Sequence, residues 1–162
     1  MKHDIALIRL HLRYDKKTGE FWWKIRDSGR QMNKPAGALS NGYVTIGFRG
    51  KIYYAHKLAW AVVKGVWASG EIDHRDLNRG NNKWSNLRAA TTTQNRCNKP
   101  MYRNNKSGFK GVSWHKQHRK WYATLQIERR ALFLGLFPTA EEAYAAYVKA
   151  AKKYHKSFAR FS

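Results

Sequence analysis

The sequence predicts an α+β chain in two parts. Short mixed strands and helices run to about residue 98, and a three-stranded antiparallel sheet with one helix follows from residue 109. Three observations predict this. Up to residue 98, apolar spacing switches repeatedly between a period of two and one near 3.6. The run CNKPMYRNNKSG, residues 97–108, is rich in Pro, Gly, Asn and Lys without periodicity, and reads as a linker over 99–108. Beyond it, three strand-like runs with tight polar turns lead into one well-capped helix. The expected domains are 1–98, with a core at about 70–98, and 109–162.

In chain order, Ile5, Ile8 and Leu12 stand on one helical face. Tyr14 to Gly19 is a turn, Phe21 to Lys24 a strand and Asp27 to Lys34 a polar, basic loop. Ala36 to Leu39 is a brief strand. Tyr43 to Phe48 alternates, and Arg49-Gly50 turns it into Lys51 to Tyr54, a hairpin. AHKLAWAVVKG reads as a helix ended by Gly65. Two short strands, around Glu71-Ile72 and Leu87 to Ala90, flank a polar loop, and Thr91-Thr92 opens a helix with Asn95 about one turn inside. In the second part, Phe109 to His115, Trp121 to Ile127 and Arg130 to Phe137 are strands. Thr139 with Glu142 is a capping-box pair, and Ala143, Ala146, Tyr147 and Ala150 form a stripe of mostly small residues suited to close packing on a sheet.

The chain has 162 residues, and its 32 Lys and Arg stand against 10 Asp and Glu, a net charge of +22. A polyanion is the first partner to consider. An anionic membrane is set aside, because no apolar run reaches ~18 residues and the N-terminus does not read as a signal. Seven Trp and a high aromatic content mark a folded chain, not a basic tail. The single cysteine, Cys97, rules out an intrachain disulfide and a cysteine zinc knuckle. The expected setting is the host-cell cytoplasm.

Residues 72–98, IDHRDLNRGNNKWSNLRAATTTQNRCN, form the least basic stretch and carry the chemistry. Asp73 and His74 are adjacent, so on an extended segment their side chains face opposite ways. His74 can then face a water while Asp73 faces a metal. Asp73 and Asn95 offer hard oxygen, which favours Mg²⁺ or Mn²⁺ over zinc. Asn86 can tie the loop together and so fix His74, Asn78, Asn81 and Asn82 shape the loop, and Arg88 reaches towards the scissile phosphate. His56, opening a helix, reads as a packing or hydrogen-bonding residue.

The ordered set Asp73, His74, Asn86 and Asn95 resembles the HNH nuclease motif in the version whose last His is Asn. LRYDKKTGEFWWK, GYVTIGFRGKIYYAHKLAW and IDHRDLNRGNNKWSNLRAATTTQNRCNK are similar to phage and intron-encoded HNH homing endonucleases. FKGVSW, KWYATL, FLGLFPTAEEAYAAY and FARF, within 109–160, resemble the Apetala/ethylene-response-factor DNA-binding domain. The resemblance implies a ββα-metal centre with His74 as general base, Asp73 and Asn95 as ligands of one Mg²⁺ or Mn²⁺, and Asn86 as the loop brace. It implies products with 5′-phosphate and 3′-hydroxyl ends. The chain lacks the paired cysteines of zinc-bearing relatives, so no zinc is expected. Alternation puts Tyr122, Thr124 and Gln126 on one sheet face, and the resemblance adds Lys110, Trp114, His115, Arg130 and Phe133 to a DNA-reading surface. The expected partner is double-stranded DNA, with no obligate protein partner. A monomer is favoured and a dimer possible. One constellation cleaves one phosphodiester at a time, so a monomer should nick. The competing reading is a DNA-binding regulator with a vestigial nuclease centre, against which the intact residue set argues.

Overall fold

The computed structural model describes residues 4–24, 32, 34–101, 104–128 and 130–161. The chain packs as two units, 1–90 and 91–162. Most of the loop expected at 27–34 lies outside the described residues.

The first unit contains α1 (Ile5–His11), β1 (Leu12–Tyr14), β2 (Phe21–Trp23), β3 (Ala38–Ser40), β4 (Tyr43–Phe48), β5 (Lys51–Tyr54), α2 (Ala55–Lys64), β6 (Glu71–His74) and β7 (Leu87–Ala90). Helix α1 starts where the Asp4 carboxylate accepts from the Ala6 amide at 3.0 Å. Helix α2 stops at Gly65, whose φ of 73° turns the chain and lets its amide donate to the Ala61 carbonyl. The strands form three antiparallel sheets, β1-β2, β3-β4-β5 and β6-β7. Ile8, Leu12, Phe21, Ile46, Phe48, Leu58, Ile72 and Leu87 close one core. Each such large side chain contributes about 1.5–3 kcal/mol on burial. The strand expected at 36–39 sits slightly later, at Ala38–Ser40, because residues 35 and 36 pair with β2 instead, through the Trp22–Pro35 bridge and the Ala36 amide on the Phe21 carbonyl.

The β6-β7 pair places the chemistry. Its register sets Asp73 opposite Arg88 and His74 opposite Leu87. Since cross-strand partners share a face and neighbours alternate, Asp73 and His74 leave on opposite sides.

The second unit contains α3 (Thr92–Cys97), β8 (Val112–His115), β9 (Lys120–Ile127), β10 (Arg130–Phe137) and α4 (Ala140–His155). Helix α3 carries a full capping box between Thr91 and Gln94. In α4, the Thr139 hydroxyl accepts from the Glu142 amide at 3.2 Å. The sheet order is β10-β9-β8, and α4 packs on the face that presents Val112, Ala123 and Leu125. Strand β8 begins at Val112, three residues later than the sequence pattern suggests. Gly108 and Gly111 both have positive φ, and the Ser107 hydroxyl holds that turn closed on the Phe109 and Val112 carbonyls.

Gly111 is required by contact as well as by φ. A β-carbon there would run into the Tyr147 ring and lie 2.8 Å from the Thr124 carbonyl. Gly111→Ala should therefore destabilise the second unit by about 2–4 kcal/mol, from overpacking and a left-handed backbone together. Urea unfolding followed by tryptophan fluorescence checks this; a loss below about 0.5 kcal/mol would mean that the ring gives way freely.

Candidate active site

His74 is 5% exposed and its Nε2 lies 3.1 Å from Asn82 Oδ1. The amide orientation follows from its other end, since Asn82 Nδ2 donates to the Gly80 carbonyl at 3.2 Å. A carbonyl only accepts, so Nδ2 belongs there and Oδ1 faces the imidazole. Oδ1 can only accept in turn, so in the neutral ring the proton sits on Nε2. The basic nitrogen of His74 is then Nδ1.

The loop that carries Asn82 is organised by a carboxylate. Asp76 accepts from Asn81 Nδ2 at 2.7 Å, Asn86 Nδ2 at 2.9 Å and the Asn78 amide at 2.9 Å. Asn86 also takes the Asp76 amide on Oδ1 and donates to the Asn81 carbonyl at 2.8 Å. Burial pushes the Asp76 carboxyl up, but the bonds from Asn81, Asn86 and the Asn78 amide outweigh it and leave the group below its ordinary value. Asn86 thus braces the loop from inside. Sequence reasoning assigned Asn81 and Asn82 to loop shaping alone and did not single out Asp76.

Asp73 is 4% exposed and paired with Arg88, whose Nε and Nη2 both lie 2.7 Å from Oδ2. The guanidinium that was expected at the scissile phosphate is instead buried on the carboxylate. The reason is register, which sets residues 73 and 88 directly across the β6-β7 ladder. The two contacts converge on one oxygen and hold the carboxylate by that edge.

His56 is the residue that sequence reasoning left outside the site. Its ring meets His74 edge-on with centroids 4.9 Å apart, and lies against Tyr54 at 5.5 Å and Tyr43 at 5.4 Å. Tyr43 also lies 6.3 Å from His74, with the Arg79 guanidinium 4.9 Å over its ring. His56 is 5% exposed, and Nδ1 has no hydrogen-bond partner among the described residues. Burial, then the charges of His74 and Lys57, hold its imidazole down to about 3. The signal that could have found it is its place: it begins α2 directly after a strand whose hairpin partner starts with Tyr43.

For a metal, no group of three or more His, Cys, Asp or Glu is gathered among the described residues. The donors on hand are a buried carboxylate and side-chain amides. They suit a hard cation that takes most of its ligands from water and phosphate, and do not suit zinc. Asn95 lies on α3, in the second unit.

The residues expected to face DNA in the second unit divide by strand register. Tyr122 pairs with Ser113, Thr124 with Phe133, Gln126 with Ala131 and Lys120 with His115, so all of these share the face away from α4. Trp114 pairs with Trp121 and Arg130 with Ile127, so Trp114 and Arg130 stand on the face that carries α4. Trp114 is still 46% exposed at the sheet edge. Lys110 Nζ donates to the Cys97 and Lys99 carbonyls, at 3.0 and 2.6 Å, and so caps the end of α3. Burial holds the Lys110 ammonium below its ordinary value.

Comparison with known proteins bears on this arrangement. Residues 53–97 match the HNH endonuclease family. Protein 3.8 of Escherichia phage T7 is 32% identical over 109 residues, which span 65% of this chain and 88% of that protein. The chain belongs to that phage protein's family and contains an HNH endonuclease domain. No solved structure matches it. The HNH match starts at Tyr53, so it takes in His56 as well as Asp73, His74, Asn82, Asn86, Arg88 and Asn95. An HNH domain implies nuclease activity with DNA as the substrate. No described helix is long and apolar enough to cross a membrane.

The buried neutral His56 makes folding sensitive to acid. Its folded value is depressed, so the unfolded chain binds the extra proton first. Stability is whole above the ordinary imidazole value of ~6.5 and drains away as pH falls towards the folded value, at up to about 1.4 kcal/mol per unit. His56→Phe keeps a ring and removes the titration. Between pH 7 and pH 5 the wild type should lose about 1–2 kcal/mol more than this variant in urea unfolding. Equal losses would show that His56 protonates freely in the folded state.

Proposed function

We propose that the chain is a site-recognising DNA endonuclease of the homing type, using one Mg²⁺ or Mn²⁺ and nicking one strand. The observation that carries this reading is His74, buried, with Nε2 committed to Asn82 and Asp73 immediately before it in the chain. The chain order β6, β7, α3 supports a ββα-metal unit. When bound, the metal supplies Lewis-acid stabilisation of charge at the scissile phosphate and the leaving 3′-oxygen. Asp73 and the Asn95 amide are its proposed protein ligands.

The rest falls to the chain's own side chains. His74 takes the proton of the attacking water on Nδ1, and the Nε2 bond to Asn82 holds the ring while it does so. The water oxygen bonds to phosphorus as the bond to the 3′-oxygen breaks, and the leaving oxygen takes a proton from solvent, giving a 5′-phosphate and a 3′-hydroxyl. Arg88 serves through Asp73, fixing the carboxylate's edge. Asn86 keeps the loop from sagging away from the ring. His56 stays uncharged beside His74, so it adds no repulsion when His74 becomes a cation.

The double-stranded DNA is held by charge and read by the second unit. A net charge of +22 supplies the non-specific grip. Tyr122, Thr124 and Gln126, with His115 and Phe133, form a face of hydroxyl, amide and ring groups suited to base edges in the major groove. Trp114 and Arg130, on the other face, suit backbone contacts at the margins. Such a chain acts as a monomer in the cytoplasm of the host cell, without a membrane or an obligate protein partner.

One constellation hydrolyses one phosphodiester per binding event. On supercoiled plasmid carrying one target site, with enzyme well below DNA concentration and Mg²⁺ present, open circles should accumulate as the main product. Direct conversion to linear DNA, with no open-circle intermediate, would point to a dimer cutting both strands.

A further inference from the structure

We infer that the β1-β2 hairpin is a positioning device for His74, acting through the backbone of Asn82. This rests on the reading of His74 as general base. Asn82 is 3% exposed and is gripped from two sides. From its own loop, Gly80 takes both its amide and its Nδ2. From 68 residues away, the Tyr14 hydroxyl donates to the Asn82 carbonyl at 2.7 Å. The tip of the same hairpin adds two contacts. The Trp84 amide donates to the Lys16 carbonyl at 3.0 Å, and Gly19 lies directly on the Asn82–Lys83 peptide.

Gly19 shows how close the approach is. Its φ is +81°, and a β-carbon there would overlap the Asn82 carbonyl carbon and the Lys83 nitrogen. The tip itself is stiff. Gly19 donates to the Asp15 carbonyl at 2.8 Å, and the Asp15 carboxylate accepts from the Lys17 and Thr18 amides. Tyr14 is seated against Phe21, with centroids 4.9 Å apart, and Phe21 is in the core. A rigid arm rooted in the core therefore fixes the peptide whose side chain selects the proton-bearing nitrogen of His74.

A simple structural contact would need none of this chemistry. The loop is already closed by Asp76 and Asn86. The hairpin adds position at Asn82, whose side chain is bonded to the imidazole. Tyr14 and Gly19 touch no reacting atom, so they are positioning residues.

The test is ¹⁵N long-range NMR of the His74 ring in the full chain at pH 8, without DNA or metal, together with Kd for DNA, single-turnover kcat and Tm. Wild type should show the Nε2–H tautomer. Asn82→Leu removes the acceptor; it should mix the tautomers and lower kcat about 30-fold with Kd unchanged. Asn82→Asp keeps an acceptor and should retain the tautomer. Tyr14→Phe removes one oxygen, and should move the same two readouts in the same direction, with kcat down about threefold to tenfold. A Tyr14→Phe protein whose Tm falls while its tautomer and kcat stay at wild type overturns the inference, as does an Nδ1–H tautomer in wild type. The spectrum is read without turnover. A wild type that cuts no DNA therefore overturns the nuclease reading, and the spectra alone decide for or against the tether.

Discussion

One hydrogen bond, from His74 Nε2 to Asn82 Oδ1, is the contact on which the proposed active site depends. An imidazole can work as a base through either nitrogen, and in a buried site the choice must be made by a neighbour. Here the neighbour is a neutral amide, itself oriented by the Gly80 carbonyl. That choice costs nothing in charge, which matters in a chain of +22. The surrounding polar groups can be understood as holding that amide still. Asp76 gathers three donors to shape the loop, Asn86 spans it, and Tyr14 pins its backbone.

Two carboxylates thus have separate tasks. Asp76 shapes the loop, and Asp73, the proposed metal ligand, is paired with Arg88 on the opposite side of β6 from His74. Removing Arg88 would take the guanidinium from a buried carboxylate, at a cost above the about 1–3 kcal/mol of a neutral buried group. His56 stands apart in the same frame. Its buried Nδ1 lacks a partner among the described residues, and the ring is kept neutral in contact with His74. A phenylalanine would fit a purely structural role at less cost.

Local signals made much of the fold legible. Gly65 ends its helix for the reason any left-handed glycine does, and Thr91 and Thr139 cap theirs through their own hydroxyls. The hairpin of β4 and β5 could be read from alternation and Arg49-Gly50. Asp73, His74 and Asn86 could be picked out because residue type and order are local properties. What escaped was long-range. Tyr14 and Asn82 are 68 residues apart, and nothing in either segment announces the other. Arg88 was aimed at phosphate because the β6-β7 register that sets it on Asp73 is a tertiary fact. The resemblance puts Trp114 and Arg130 on one face with Tyr122, whereas the pairing with Trp121 and Ile127 turns them to the other face.

His74 is the residue on which the proposed cleavage rests. The most direct measurement is to map cleavage ends on a host-genomic DNA library with Mg²⁺ and with Mn²⁺, for wild type and for His74→Ala, alongside binding to the site found. Wild type should leave 5′-phosphate and 3′-hydroxyl ends at a defined position on one strand. His74→Ala should bind that site with closely similar affinity and leave essentially no ends there. A His74→Ala protein that cuts the same position at the wild-type rate would contradict the account at its centre.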